Sequence, residues 1–180
     1  DSLNSEEFKN DISDYVLIIP GDVPLLNKDN IDLLIEETQK KSAALGIITA
    51  EVSDPTGYGR IIRAGDTIAK IVEQTDASEE EQKIREVNSG MYCFNKKFLL
   101  ENIENLDDNN NQNEIYLTDL IEIAFQNKLE TVIVKVSEDT IKGVNSMSQL
   151  NDVEKTLREK LINSHMENGV YFQDTSTAFI

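Results

Sequence analysis

The stretch Tyr15-Val-Leu-Ile-Ile-Pro-Gly-Asp-Val-Pro-Leu-Leu26 decides the fold. A β-rich apolar run stops at Gly21-Asp22, and a helical pattern begins a few residues later. Asp22 is therefore expected at the carboxyl end of a buried strand, the place where ligands bind in open α/β sheets. A carboxylate there, preceded by a residue without a side chain, can hold a divalent cation against a phosphate. An Asx-turn or a helix-start cap is the other ordinary use of such an aspartate, and position alone leaves both open.

Working outward, Asn27 is predicted to N-cap a helix over about residues 28–41, with Ile31, Leu34 and Ile35 on its apolar face. Ala43–Val52 reads as a second buried strand. Alternating strand and helix up to this point favours a parallel sheet with helical crossovers. The pattern then changes at Asp54-Pro-Thr-Gly-Tyr-Gly-Arg60, a dense turn signal. Two short strands follow, Arg60–Arg63 and Thr67–Val72, joined across Ala64-Gly65-Asp66 as a hairpin. Ser78-Glu-Glu-Glu81 has the form of a capping box and predicts a short acidic helix. Glu86–Phe94 predicts a strand with Met91 and Cys93 on one side and Tyr92 and Phe94 on the other.

Farther on, the polar run Asp107–Asn113 predicts a surface loop. Tyr116–Phe125 predicts a helix and Thr131–Val136 a strand. Ser146-Met-Ser-Gln149 is a second capping box, opening a helix in which Met147, Leu150, Val153, Leu157 and Leu161 share one face. Residues 1–14 are polar and acidic, residues 169–180 show no period, and no internal repeat is present.

At 180 residues the chain suits one domain with a substantial core, and is short for two independent ones. With 34 acidic against 17 basic residues, its formal net charge is -17. Nucleic acid and anionic membranes are poor partners for such a surface, because neutralising phosphates needs clustered Lys and Arg. A small anionic substrate would need a divalent metal, a backbone nest or a few placed cations. One cysteine, Cys93, excludes an internal disulfide and suits a reducing compartment. No apolar run approaches the roughly 20 residues that span a bilayer, and no basic-then-apolar leader opens the chain. A soluble protein of the cytoplasm is expected.

Two junctions carry oxygen ligands. Asn145 lies just before the second capping box, as Asp22 lies before the first long helix. If they converge they offer two oxygens, and Mg²⁺ usually takes only one or two from protein. Gly59 lets backbone approach a ligand closely, whereas Glu73 and Asn88, at strand positions, suit hydrogen bonds to sugar hydroxyls. Each also has a plain structural use as a turn or edge-strand residue. Lone His165 lies at the polar end of the last helix, and Cys93 reads as core. There is no Ser/His/Asp grouping, no metal-binding cysteine cluster and no glycine-rich phosphate loop. Such an inventory suits chemistry done by positioning and metal.

The ordered set Gly21-Asp-Val-Pro-Leu25, Asp54–Arg60, Ile71-Val-Glu73, Glu86-Val-Asn-Ser-Gly90, Tyr116-Leu-Thr-Asp119 and Gly143-Val-Asn145 closely resembles the uridylyltransferase domain of bacterial N-acetylglucosamine-1-phosphate uridyltransferases. The match runs from about Tyr15 to about Asp174. Each motif is modest alone; the set, in order and at the family's spacings, is specific. The resemblance implies a Rossmann-like nucleotidyltransferase fold of the α/β class, a mixed sheet flanked by helices, here as an incomplete domain. It implies joining of UTP to N-acetylglucosamine 1-phosphate, giving UDP-N-acetylglucosamine and pyrophosphate with Mg²⁺. By matching motifs, Asp22 and Asn145 would be the magnesium ligands, Gly59, Glu73 and Asn88 would contact the amino sugar, and Gly21 would lie against the nucleotide-sugar. The full-length family also implies a homo-oligomer, a trimer built through a C-terminal acetyltransferase domain.

The departures from the family shape further expectations. The family begins with a strand and a glycine-rich loop bearing an arginine and a lysine for the triphosphate, then a segment for uracil; here Asp1 falls just before the strand leading to Asp22. Pro20 stands where an aromatic residue is frequent, and Asn88-Ser89-Gly90 replaces the commoner Asn-Thr-Gly. The chain is thus expected to be a fragment: residues 1–174 from a nucleotidyltransferase domain, and 175–180 the start of a linker to a further domain. It would keep the metal and sugar side, be inactive alone, and expose a sheet edge. The rival readings are another sugar-phosphate nucleotidyltransferase, a metal-dependent glycosyltransferase, or a non-catalytic module that binds a nucleotide sugar or docks on a partner.

Overall fold

The Gly-Asp turn divides the chain. The computed structural model describes residues 12–106, 110–112 and 114–180. Its backbone gathers into two compact units, one running up to Pro20 and again over Lys28–Glu138, the other made of Gly21–Asn27 and Asp139–Ile180.

The first unit is built on a six-stranded mixed sheet. Its strands are β1 (Tyr15–Ile18), β2 (Leu45–Glu51), β3 (Arg60–Ala64), β4 (Thr67–Val72), β5 (Glu86–Asn95) and β6 (Thr131–Val136). They lie in the order β4-β3-β5-β2-β6, with β1 also on β5. Among the described strands only β2 and β6 pair in parallel, and the other pairings are antiparallel. The parallel sheet expected from the opening strands therefore needs correction. β1 and β2 do point the same way, since both run against β5, but β5 lies between them. Strand-helix alternation sets direction, and a later strand can still insert between two parallel ones. β1 is also not the buried strand expected. Leu17 and Ile19 are exposed, because β1 bonds only β5 among the described strands.

Helices cover both faces of this sheet. Helix α1 (Lys28–Lys40) packs on β2 and β6, and its buried positions are Ile31, Leu34 and Thr38, with Ile35 only half-buried. The close approach is made at Gly46 on β2. A Cβ there would stand 2.8 Å from Leu34 Cδ1 and collide with the Thr38 hydroxyl. Thr38 takes the helical way out for a buried hydroxyl, donating back to the Leu34 carbonyl at 2.5 Å. The opposite face carries the main core, where Leu45, Ile47, Ile61, Tyr92 and Phe94 meet Phe98 and Leu99 of α2 (Lys96–Asn102) and Leu120, Ile121 and Ala124 of α3 (Asp119–Gln126). Tyr92 and Phe94 fall on this face and Cys93 on the other, as the alternation of β5 requires.

Two turns shape the sheet where it bears polar residues. The hairpin β3–β4 closes over Gly65-Asp66, with Gly65 at φ +64°. On β5 the register against β2 slips between Ile47↔Tyr92 and Thr49↔Asn88, a bulge centred on Ser89-Gly90. Gly90 sits at φ +77°, and a Cβ there would stand 3.0 Å from Pro20 Cγ. The Ser89 hydroxyl fills the gap in the ladder, donating to Ile48 O at 2.7 Å and accepting from Met91 N at 3.1 Å.

The Ser78 box forms, with Ser78 N and Oγ donating to Glu81 Oε2 at 2.9 and 2.7 Å, yet only a 3₁₀ turn, Glu81–Lys83, follows it. Of the expected loop 107–113, residues 107–109 and 113 lie outside the described residues, as do residues 1–11. Its Asn111 is tied to the Thr75-Asp76 turn by hydrogen bonds of 3.0 Å to Asp76 Oδ1 and Thr75 O.

The second unit holds helix α4 (Met147–Glu167), begun by Ser146, whose Oγ accepts from Gln149 N. The expected apolar face is corrected here. Val153 is buried, but Met147 is 79% exposed, and Leu150, Leu157 and Leu161 are exposed too, while Ile162 is the second buried position. Helical spacing tells which side chains share a face, and not whether anything covers it. The chain's last residues turn back along the helix, with Arg158 over the Phe179 ring at 5.4 Å.

Candidate functional site

In the second unit, a strand-to-helix loop and a pre-helix turn bring Asp22 and Asn145 to the same glycine. Val144 N donates to Asp22 O at 2.9 Å, joining the two segments. A Cβ on Gly143 would stand 3.3 Å from Asp22 Oδ2 and 3.7 Å from Asn145 Nδ2, so the missing side chain leaves room between carboxylate and amide. The capping box fixes the second of these. Gln149 Oε1 accepts from the Asn145 backbone N–H at 2.8 Å, reaching one residue beyond the Ser146 cap.

A carboxylate and an amide oxygen are the donor types a hard cation takes. Among the described residues no group of three or more His, Cys, Asp or Glu gathers as a metal cluster. The pair thus fits an ion that draws most of its shell from phosphate and water, as Mg²⁺ does. Held there, the ion would neutralise phosphate charge.

In the first unit, Gly59, Glu73 and Asn88 come together on neighbouring strands. Gly59 O accepts from Asn88 N at 2.9 Å. A Cβ on Gly59 would lie 2.9 Å from Ile71 Cγ2 and 3.1 Å from Glu73 Oε2, so the glycine is required for the carboxylate to lie against backbone. Burial holds the Glu73 carboxyl above the usual range, partly offset by the Thr118 hydroxyl, which donates to Glu73 Oε1 at 3.1 Å. Thr118 precedes α3 yet makes no cap hydrogen bond, because its hydroxyl serves Glu73 instead. Asn88 Oδ1 accepts from Gly90 N at 3.0 Å and from Tyr92 Oη at 2.9 Å.

The turn Asp54–Arg60 is braced from behind. Thr56 N donates to Asp54 Oδ1 at 3.0 Å, and these Thr56 contacts hold the Asp54 carboxyl below its ordinary range. Gln74 Oε1 accepts from Gly57 N at 3.1 Å and from Arg60 Nη2 at 2.7 Å, while Arg60 Nη1 donates to Tyr58 O. Arg60 is 1% exposed. Its guanidinium thus acts as a buried strut for the turn that carries Gly59.

The capping box that contains Gln149 was legible in the sequence, whereas the supporting roles of Thr118, Gln74, Arg60 and Tyr92 were not. Thr118 and Arg60 stood inside the motifs already quoted, whereas Gln74 and Tyr92 carried no signal. Cys93 is buried, and burial pushes its thiol up, with a Thr38 hydrogen bond opposing. His165 is exposed on α4 and stands apart from both clusters in sequence. Among the described residues no helix is long and apolar enough to cross a membrane.

Comparison with known proteins identifies the family and the fold. The family model for nucleotidyl transferases matches residues 2–171. The bifunctional protein GlmU of Clostridium botulinum (strain 657 / Type Ba4) is 44% identical over 177 residues, 98% of this chain and 39% of that protein. The bifunctional protein GlmU of Acetivibrio thermocellus is 39% identical over 180 residues, again 39% of its length. The chain thus spans about two fifths of the curated relatives it matches. Two solved structures share the fold. One, described as a glucose-1-phosphate thymidylyltransferase from Bacillus anthracis, superposes with TM-score 0.58 at 17% identity, covering 90% of this chain and 58% of that one. The other, a CMP:2-keto-3-deoxy-manno-octonic acid synthetase complexed with CTP, gives 0.59 at 13% identity, covering 86% and 66%. A mixed sheet flanked by helices and a family match over nearly its whole length make this chain a member of the nucleotidyl transferase family.

Proposed function

We propose that the chain supplies the metal and sugar side of a uridylyltransferase that makes UDP-N-acetylglucosamine from UTP and N-acetylglucosamine 1-phosphate. The observation that carries the reading is the grouping of Gly59, Glu73 and Asn88, an acceptor and an amide beside a glycine, on a chain 44% identical to a bifunctional GlmU protein. Glu73 accepts from a sugar hydroxyl or amide N–H, and Asn88 donates through Nδ2 to a sugar oxygen. Gly21, next to Asp22, gives the nucleotide-sugar a bare backbone to lie against. Asp22 and Asn145 hold Mg²⁺.

In the reaction a phosphate oxygen of the sugar phosphate bonds to the α-phosphorus of UTP. The bond from that phosphorus to the bridging β-phosphate oxygen breaks, and pyrophosphate leaves with its electron pair. No residue forms a covalent bond, so the protein contributes alignment and charge neutralisation.

Titration calorimetry with UDP-N-acetylglucosamine tests the reading. Binding is expected with Mg²⁺, and to fall more than about tenfold (about 1.4 kcal/mol) with EDTA or in Asp22→Asn. Plain UDP-glucose is expected to bind more weakly, because it lacks the acetamido group whose C=O and N–H would pair with Asn88 and Glu73. Equal binding of both sugars would favour another sugar-phosphate nucleotidyltransferase. Metal-independent binding would favour a non-catalytic module.

A further inference from the structure

We propose that Tyr92 is a positioning residue for sugar specificity: its buried hydroxyl fixes the Asn88 amide so that only the amino group of that side chain faces a ligand. The proposal rests on the reading of Asn88 as a sugar contact. Tyr92 lies four positions after Asn88 on β5, and the Ser89-Gly90 bulge folds the strand so that Tyr92 Oη reaches Asn88 Oδ1 at 2.9 Å. A backbone N–H can only donate, so the atom that takes the Gly90 N–H at 3.0 Å must be the amide oxygen. With Gly90 N and Tyr92 Oη both donating to it, that oxygen has its two acceptor sites filled.

What remains for a ligand is the Nδ2 donor. Glu73 offers the complementary acceptor, since Thr118 occupies Oε1 and a Cβ on Gly59 would meet Oε2 at 3.1 Å. One fixed donor beside one fixed acceptor matches a secondary amide, which presents one C=O and one N–H. A hydroxyl accepts and donates from a single oxygen and does not need the amide held in one orientation. Without the Tyr92 hydroxyl, Asn88 would keep only the Gly90 bond and could turn its oxygen toward the ligand. Tyr92 is 3% exposed and packs beside Phe94 with ring centroids 5.4 Å apart, so its ring is held independently of its hydroxyl. Burial also raises the phenol far above its ordinary range, so it remains a donor throughout neutral pH.

The test compares UDP-N-acetylglucosamine with UDP-glucose, whose nucleotide ends are identical, by calorimetry with Mg²⁺ on the chain and on Tyr92→Phe. Tyr92→Phe is expected to weaken UDP-N-acetylglucosamine roughly five- to thirtyfold, in keeping with one lost orienting hydrogen bond, and UDP-glucose less than about twofold. In an Asn88→Ala background the same substitution is expected to change neither ligand, since Tyr92 then has nothing to orient. Equal loss for both sugars, or an undiminished effect of Tyr92→Phe in Asn88→Ala, overturns the role assigned to Tyr92 and leaves the sugar reading intact. If wild type binds both sugars equally, the sugar reading fails and the Tyr92 proposal falls with it.

Discussion

Glu73 carries a cost for the fold at a position where a sugar contact is proposed. Burial raises its carboxyl above the glutamate range, so the folded chain holds that proton more tightly than the unfolded one. The sign follows: the stability this group contributes is full below the ordinary glutamate value of about 4.3 and is lost as pH rises through the higher folded value. Glu73→Gln, which keeps the Thr118 bond to an oxygen, is expected to melt at a higher temperature than wild type at pH 7. The difference should shrink toward pH 4, while UDP-N-acetylglucosamine binding is lost; a lower melting temperature at pH 7 would contradict the desolvation account. The sequence made Glu73 and Asn88 legible through strand-end position and motif. It left Tyr92 unmarked, because the link to Asn88 depends on a bulge that alternation does not foresee.

At the scale of elements, the close packing of α1 on β2 hangs on a single missing side chain. Gly46→Ala would press a methyl group into Leu34 Cδ1 at 2.8 Å and into the Thr38 hydroxyl, in a core with no slack. A loss of about 1–3 kcal/mol is expected in urea unfolding followed by circular dichroism, with binding at Asp22 unaffected. Most elements could be read from local signals: α1, β2, the Gly65-Asp66 hairpin, β6 and both capping boxes. Their placement was less accessible. Nothing in residues 15–52 shows that β5 will enter between β1 and β2, since that pairing joins Ile18 to Tyr92 across the chain. The Ser78 box failed to seed a helix because it ends after one turn, at Ile84, which is already extended.

For the whole molecule, charge and exposed apolar surface oppose each other. Leu17 and Ile19 are exposed at β1, as are Leu150, Leu157 and Leu161 on α4, and such surface favours association. A net charge of -17 resists it by mutual repulsion, which salt screens within about 8 Å at physiological ionic strength. Sedimentation velocity is expected to show more self-association at high salt than at low salt; the opposite trend would mean that charge pairs, and not apolar surface, hold copies together. Composition alone gave the repulsion, but the uncovered face of α4 emerged only with the fold, since the same heptad-like spacing would serve a buried helix equally well.

Residue-resolved NMR of ¹⁵N-labelled chain, titrated with UDP-N-acetylglucosamine and Mg²⁺, tests the assignment of the site most directly. The amides of Gly59, Glu73 and Asn88 are expected to shift along one saturation curve as the nucleotide-sugar is added, and those of Gly21, Asp22, Val144 and Asn145 to shift as Mg²⁺ is added. Shifts confined to α4 or to the Thr175–Ile180 segment, with these amides unmoved, would contradict it.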